Sequence, residues 1–370
     1  MKRHHVTDLD TSPGNARNSE GAMVTLADGR VMLAYTRYGP GGSDADKAVI
    51  AARFSDDGGR TWSTRDRILV RDEGRENDMS VSLLRLHDGR IAMFNLRKDS
   101  LYDCRPMVRF STDEAQTFSK PIPLTPAPGY YILNNDRVIQ LRSGRLVAPL
   151  ALHHARAYLE VHEGPPHTRA THFDAGLLMF LFSDDGGANW QESRSRLHHC
   201  DHLSHGLQEP GVVELSRGRL WAWARHGTNR KPDPRNRQWQ SFSHDSGLTW
   251  SDIGKSRFIS PCSPMSVKRL DATGDLLAIW NDHSPGSRPS RVHPRSVWRT
   301  PLACAISADQ GKTWRKHQLL ETSTRHGFCY VAIHCVQDAV LLAYCAGGPE
   351  TNGCLRRLRI RCLPLADLYR

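Results

Sequence analysis

One short segment keeps returning along this chain, and it limits the folds available more than any other feature. Ser55-Asp56-Asp57-Gly58-Gly59-Arg60-Thr61-Trp62 recurs at Ser183 to Trp190, with Asn189 replacing Thr, at Ser243 to Trp250 and at Ser307 to Trp314. A degenerate copy runs from Ser111 to Phe118, with Ala115 replacing Gly. The starts are separated by 56, 72, 60 and 64 residues. The composition of the segment is that of a tight hairpin turn. The Asp side chain can bond the backbone of its own turn, the Gly permits a positive φ, and the Trp can cover the loop. Apolar runs such as Ala48 to Phe54 precede the turn, as strands should.

A second repeat lies between these boxes. Each copy is an apolar strand, a tight turn and a more apolar strand, with turns at Asp28-Gly29-Arg30, Asp88-Gly89-Arg90, Ser143-Gly144-Arg145, Arg217-Gly218-Arg219, Thr273-Gly274-Asp275 and Gln337-Asp338-Ala339. Helical periodicity is nowhere sustained. Six such units, each of roughly four strands, predict an all-β six-bladed β-propeller. No blade can bury both of its faces alone, so residues 1–370 are expected to form a single domain. The first 14 residues precede the first unit and are expected to be loosely ordered.

The phase of the two repeats assigns side chains to faces. Four strands run up and down in each blade, so the turn joining strands one and two and the box joining strands three and four share one side, the bottom. Residues just before strand one and just after strand two then share the top, around the central channel. Before strand one come Arg17 and Glu20; Arg75, Glu76 and Asp78; Asn134, Asn135, Asp136 and Arg137; Glu209; Ser263; and Arg325, His326 and Tyr330. After strand two come Arg37 and Asp44; Arg97 and Lys98; His153 and His154; Arg225 and His226; and Asn281, Asp282 and His283. Arg299 precedes the third strand of the fifth unit. Charged and titratable groups converge on one mouth, the pattern of a site for a polar, anionic ligand.

Charge and cysteine content narrow the partners. The formal net charge is +11, carried mainly by arginine, yet no run of five like charges and no basic tail is present. No stripe of aromatic residues interleaves with the basic ones, so nucleic acid is not expected as a partner. No apolar run approaches the ~18 residues of a membrane span, and no apolar stretch follows the basic N-terminus, so no membrane partner is expected and a cytoplasmic location is. The nine cysteines lack any Cys-x-x-Cys pair and are expected to be reduced thiols. His153-His154, His198-His199, His202 and His205 have no carboxylate or Cys at ligand spacing, so neither a metal nor another cofactor is expected.

These residues resemble the sialidase superfamily, whose Asp boxes and six-bladed propeller match this organisation over nearly the whole chain. In that family an Arg opens the first strand, and here Arg17 does so; an Asp precedes strand three, and here Asp44 in Gly42-Ser43-Asp44-Ala45-Asp46 follows 27 residues on. A Glu then precedes an apolar hairpin with an Arg at its end, matching Glu209 and Arg225. A third Arg precedes the strand of the last box and a Tyr follows, matching Arg299 and Tyr330. The chain departs from the pattern where Arg17 is followed by Asn18-Ser19-Glu20 rather than Ile-Pro, and Asp46 competes with Asp44 for its position. The stretches 75–78, 134–137 and 281–283 are not part of the usual signature.

The resemblance implies a carboxylate clamp of Arg17, Arg225 and Arg299, a Tyr330 nucleophile served by Glu209 as base, and Asp44 as acid. It implies an acidic sugar or glycan as substrate, cleaved by retaining exo-hydrolysis. Glu20, Arg75, Asp78, Arg97, Asn135, Asp136, Arg137, His226, Asp282 and His283 join the clamp as candidate substrate-binding residues from the top-face assignment. Three alternatives stay open: a uronate lyase using Tyr330, Tyr131, His226 or His283 as base, a hydrolase for a different 2-keto-3-deoxy acid, and a non-catalytic glycan-binding propeller.

Overall fold

The computed structural model describes residues 4–153, 176–199, 206–227 and 236–370. Among them, strands dominate and follow the repeat. β1 (His5–Leu9) comes first, and β2 (Arg17–Thr25), β3 (Val31–Tyr38), β4 (Ala48–Ser55) and β5 (Arg67–Val70) make the first meander. The second holds β6 (Asn77–Arg85), β7 (Ile91–Ser100), β8 (Asp103–Ser111) and β9 (Ile122–Pro123). The third holds β10 (Tyr130–Ile132), β11 (Ile139–Gln140), β12 (Leu146–His153), β13 (Leu177–Ser183) and β14 (Gln191–Glu192). β15 (Leu207–Glu214), β16 (Leu220–His226), β17 (Arg237–Ser243) and β18 (Gly254–Ile259) form the fourth. β19 (Ser266–Arg269), β20 (Leu276–Asn281), β21 (Leu302–Ser307) and β22 (Arg315–Glu321) form the fifth. The sixth holds β23 (Cys329–Val336), β24 (Ala339–Cys345) and β25 (Leu358–Pro364).

Two features differ from the sequence-based expectation. The N-terminal segment, expected to be loosely ordered, contains β1, which pairs antiparallel with β25 from His5 opposite Cys362 to Leu9 opposite Leu358. The sixth blade thus takes its fourth strand from the other end of the chain. The second and third blades are also not separate sheets. Tyr130 of β10 bridges in parallel to Cys104 of β8 while β10 pairs antiparallel with β12, so the two blades share one nine-stranded sheet.

The apolar cores lie between blades rather than within them. One cluster joins Val24, Met32 and Ile50 of the first blade to Val81, Leu83 and Met93 of the second. Others join the fourth to the fifth through Trp221, Trp223, Leu276 and Ala303, and the sixth to the first through Leu33, Tyr35, Leu341 and Ile360. Burial of these faces drives ring closure, at roughly 1.5–3 kcal/mol for each large apolar side chain. The innermost strands meet round the axis, β2 against both β6 and β23, and β19 against both β15 and β23. The eight described cysteines form no disulfide.

The boxes behave as their composition requires. In the first, Ser55 Oγ donates to Asp57 Oδ1 at 2.9 Å and accepts from Gly59 N at 2.8 Å, while Asp57 also accepts from the Thr61 amide and hydroxyl. Trp62 Nε1 donates to Gly59 O at 3.2 Å. The degenerate copy keeps the network around Asp113, whose carboxyl is held down to about 2 by the Thr117 hydroxyl and amide. Gly59, Gly187, Gly247 and Gly311 all have positive φ, and Ala115 takes the same conformation at φ 59°.

Candidate active site

The top-face residues are aimed by a device that recurs on the innermost strands. The β2–β3 register slips between Ser19 and Ala22, β6–β7 between Met79 and Ser82, β15–β16 between Gln208 and Gly211, and β23–β24 between Cys329 and Ala332. Within each slip one non-glycine residue has positive φ: Glu20 (56°), Ser80 (58°), Glu209 (52°) and Tyr330 (58°). Such a bulge bends the strand and redirects the side chain, at about 1–3 kcal/mol for each strained residue. All four of these residues line one cavity of about 230 Å³, together with Asp44, Arg225 and Arg299.

The hydrogen bonds within it form two groups. Tyr330 Oη donates to Glu209 Oε1 at 2.8 Å, and the other Glu209 oxygen faces Arg225 Nε at 2.9 Å. Arg225 Nη2 donates to Gln208 Oε1 at 2.9 Å. Arg299 lies with its guanidinium 5.3 Å from the Tyr330 ring centre and donates from Nη1 to Cys329 Sγ at 3.1 Å. Arg17 is buried and is not itself among the lining residues; it bonds two residues that are, Asp44 Oδ1 through Nη1 and Glu20 Oε1 through Nη2 at 3.0 Å, and Ser19 Oγ through Nε at 2.9 Å. Arg225 Nη1, Arg299 Nε and Asn134 Oδ1 are buried without a protein hydrogen-bond partner.

The electrostatics follow from depth. Burial and the Glu209 carboxylate push the Tyr330 hydroxyl well above its ordinary value, outweighing Arg225 and Arg299. The resting residue is therefore a neutral hydroxyl that donates to Glu209, and not the phenolate that nearby arginines alone would favour. Burial lifts the Glu20 carboxyl to about 7 against the pull of Arg17. Asp44 and Asp46 are distinguished by geometry. Asp44 lines the cavity and meets Arg17, whereas Asp46 Oδ2 turns back to accept from Ser43 N. The Asp44 loop is held from below: Lys98, 1% exposed, donates to the Asp44 carbonyl at 2.7 Å, and Asn77 Nδ2 donates to the carbonyls of Asp44 and Asp46.

The other named candidates lie away from the cavity. Arg75 is exposed, and its backbone bonds Asp99 and Lys47. Asp78 accepts from the amides of Glu73 and Gly74, and its carboxyl is raised to about 6 by burial. Arg97 pairs with Asp99 at 2.7 Å. His226 packs among His199 and Trp239. Asp282 accepts from Ser284 and meets His317 at 3.0 Å, while buried His283 bonds Thr300 O. None of these lines the cavity. Asn135, Asp136 and Arg137 do not line it either, and bond instead to the first, fifth and sixth blades. Of the bases proposed for a lyase, only Tyr330 is among the lining residues. His154, Cys200, His202 and His205 lie outside the described residues.

The cavity also contains residues that the strand-end assignment missed: Met79, Ser80, Leu96, Tyr130, Ile132, Gln208 and Leu355. Glycines beside two bulges were an available signal. A Cβ at Gly211 would lie 2.3 Å from the Trp223 ring, and one at Gly21 would lie 3.0 Å from Leu33 Cδ1. No group of three or more His, Cys, Asp or Glu arranged to hold a metal occurs among the described residues, and no described helix is long and apolar enough to cross a membrane.

Comparison with known proteins places this geometry. A family described as a BNR repeat-like domain matches residues 41–342. A sialidase of Bacteroides fragilis (strain YCH46) is 27% identical over 223 residues, which is 57% of this chain and 34% of that protein. The chain's match thus spans about a third of that relative's length. Among solved structures, a protein of unknown function from Dyadobacter fermentans superposes with a TM-score of 0.70 at 18% identity, covering 97% of this chain and 99% of that one. The NanB sialidase of Streptococcus pneumoniae gives 0.68 at 13% identity, over 96% of this chain and 70% of that one. A sialidase of Trypanosoma rangeli, solved in complex with sialic acid, gives 0.66 at 14% identity, over 96% and 55%. These likenesses show a sialidase-like β-propeller.

Proposed function

The chain belongs to the BNR repeat-like domain family, and from that premise we propose that its top-face cavity is the active site of a retaining exo-glycosidase that releases a terminal acidic sugar. The observation that carries this reading is the Tyr330–Glu209 hydrogen bond at 2.8 Å, with Arg225 on the other Glu209 oxygen. A sugar with a carboxylate on its anomeric carbon would repel a carboxylate nucleophile, and a tyrosine avoids that repulsion. Sialic acid, the ligand of the Trypanosoma rangeli protein, has this chemistry.

Arg225 and Arg299, which line the cavity with unpartnered nitrogens, would hold the carboxylate by charge-assisted bonds, and Arg17, behind Asp44 and Glu20, would join them on exchanging one of those carboxylates for the ligand's. Tyr330 Oη attacks the anomeric carbon while its proton passes to Glu209 Oε1. Asp44 protonates the departing glycosidic oxygen as that bond breaks, leaving the sugar joined to Tyr330 Oη as an aryl ketal. Water then attacks the same carbon from the vacated side, giving its proton to Asp44, and Tyr330 leaves with the proton held by Glu209. Two inversions give net retention.

The test is turnover of an aryl sialoside by wild type, Tyr330→Phe and Asp44→Asn, with the anomer of the first-formed product followed by NMR. Expected are a retained anomer and losses of about 10²–10⁴-fold in the variants. Near-full activity in both variants, or an unsaturated product absorbing in the ultraviolet, overturns the assignment. Binding without turnover in wild type favours a glycan-binding propeller.

A further inference from the structure

The bulge that presents Tyr330 leaves its own backbone in need of partners. The β23–β24 ladder pairs Cys329 with Cys345 and resumes at Ala332 with Ala343, so Tyr330 and Val331 are skipped. A buried peptide group without a partner costs about as much as a lost hydrogen bond. Three consecutive residues of the third blade, which lie outside the catalytic constellation, supply partners for the two skipped carbonyls, one of them through Ser266, and for the amide of Ile333 just beyond the slip. Asn135 Nδ2 donates to Tyr330 O at 3.1 Å. Asp136 Oδ2 accepts from Ile333 N at 2.9 Å. Arg137 Nη1 donates to Ser266 Oγ at 3.0 Å, and that hydroxyl donates to Val331 O at 2.6 Å.

The same amide also reaches the opposite wall of the cavity. Asn135 Nδ2 donates to Gly21 O at 2.8 Å, and Gly21 lies in the β2 slip that presents Glu20 beside Arg17. One fully buried NH2 group therefore ties the strand of the nucleophile to the strand of the first arginine. Asp136 is braced in turn by Lys268 at 3.0 Å, and Arg137 by the carbonyl of Met265 at 2.9 Å.

We propose that Asn135, Asp136 and Arg137 are positioning residues: a strut across the central channel that satisfies the carbonyls freed at the Tyr330 bulge, anchors the strand just beyond it at Ile333 N, and fixes the nucleophile relative to the Arg17 side of the pocket. The role in turnover rests on the function proposed above, whereas the role in holding the bulge does not. Positioning of this kind matters because a displacement of about 1 Å at a reacting atom can cost about 10²-fold in rate.

Two readouts on the full chain test it. Hydrogen exchange of peptides covering 328–336 and 17–25 is compared with that of 339–345 in wild type, Asn135→Ala and Asn135→Ser. The strut requires faster exchange confined to the first two segments, larger for Ala than for Ser, which keeps one donor. Unchanged exchange there, or an equal rise in all segments, overturns it. In parallel, kcat of the alanine variant on an aryl sialoside should fall at least about tenfold with KM within about twofold. Unchanged kcat in an active wild type overturns the positioning role alone. An inactive wild type overturns the proposed function, and the exchange data still decide whether the strut holds the bulge. Should Asn135→Ala fail to fold, the serine variant and Asp136→Asn, which weakens the acceptor for Ile333 N, carry both measurements.

Discussion

The two ends of this propeller use the same backbone conformation for opposite purposes. On the bottom, every box places two consecutive residues at positive φ, and the second is glycine in four of five copies. Its network is internal, with Ser, Asp and Thr bonding one another and their own turn. On the top, the positive-φ residues are Glu20, Ser80, Asp136, Glu209 and Tyr330, none of them glycine. Several of their partners come from other blades, as Glu209 to Tyr330, Asn135 to Tyr330 O and Lys268 to Asp136. A turn that satisfies itself can be copied around a ring at little cost. A strained side chain that depends on its neighbours has to be placed one position at a time, and that is where chemistry can be located.

The sharpest way to break this contrast is to disable the top without touching the fold. Glu209→Gln keeps the shape of the side chain and removes the carboxylate that receives the Tyr330 proton. The expected loss is about 10²–10⁴-fold in kcat/KM, equivalent to about 3–5 kcal/mol in the barrier, with a melting temperature close to wild type. A variant that retains most of its activity would place the proton acceptor elsewhere. The reciprocal substitution belongs to the bottom. At Gly59 φ is 88° and an added Cβ would lie 2.5 Å from both Leu341 methyls, so Gly59→Ala should destabilise the ring by about 2–3 kcal/mol while leaving kcat/KM of the folded fraction unchanged. Urea unfolding read beside activity separates the two effects.

The repeat made most of this fold legible because its spacing is a statement about backbone geometry, and each copy carries the same turn chemistry. Five of the six family-matched positions line the cavity, and Arg17 lies behind Asp44 and Glu20; their common end of the ring was legible because strand phase decides which end of a blade a residue occupies. Phase says nothing about which neighbour that residue bonds. Asp282, His283, Asp78 and the 135–137 stretch do lie at strand ends, and yet they are absorbed by Ser284 and His317, Thr300, Glu73 and Gly74, and the bulge of β23. The bulges had little composition signal beyond Gly21 and Gly211 at two of them, because the positive-φ residues in them are Glu, Ser and Tyr rather than glycine. Tyr130 reaches the cavity from β10, a three-residue strand too short to show a periodicity, and Leu355 from the connection between β24 and β25, where no periodicity exists to assign a face. The order of β1 was hidden because its partner β25 lies some 350 residues away, as Arg359 Nε to Asp8 illustrates.

A smaller effect tests the charge balance of the top. Glu20 and Asp44 both engage Arg17, and the Glu20 carboxyl is raised to about 7. Below that pH Glu20 is protonated, the cavity is one unit more positive, and Arg17 is freer to meet a ligand carboxylate. Above it the Glu20 carboxylate competes for the same guanidinium. Affinity for sialic acid, measured by calorimetry from pH 5.5 to 8.5, should therefore fall by about three- to tenfold as pH rises through about 7. Glu20→Gln should flatten that dependence. A profile in wild type that is level, or that rises with pH, would remove Glu20 from the pocket's charge balance.

The smallest effect decides whether cost alone separates the two faces. Ala115 occupies the position that glycine holds in the other four boxes, with φ 59° and no exposure. Its left-handed backbone costs about 1–2 kcal/mol, and its buried methyl contributes about 0.8 kcal/mol. Ala115→Gly should thus be close to neutral and slightly stabilising, by about 0.5 kcal/mol from those two terms, with kcat/KM unchanged. The β23 bulge should answer differently. At φ 58° Tyr330→Gly relieves the same kind of strain, yet it removes the nucleophile and the side chain that Glu209 holds, so any gain in stability comes with loss of activity. If Ala115→Gly were strongly destabilising, the degenerate box would depend on packing of that methyl against the first and second blades, and strain would not be what distinguishes bottom from top.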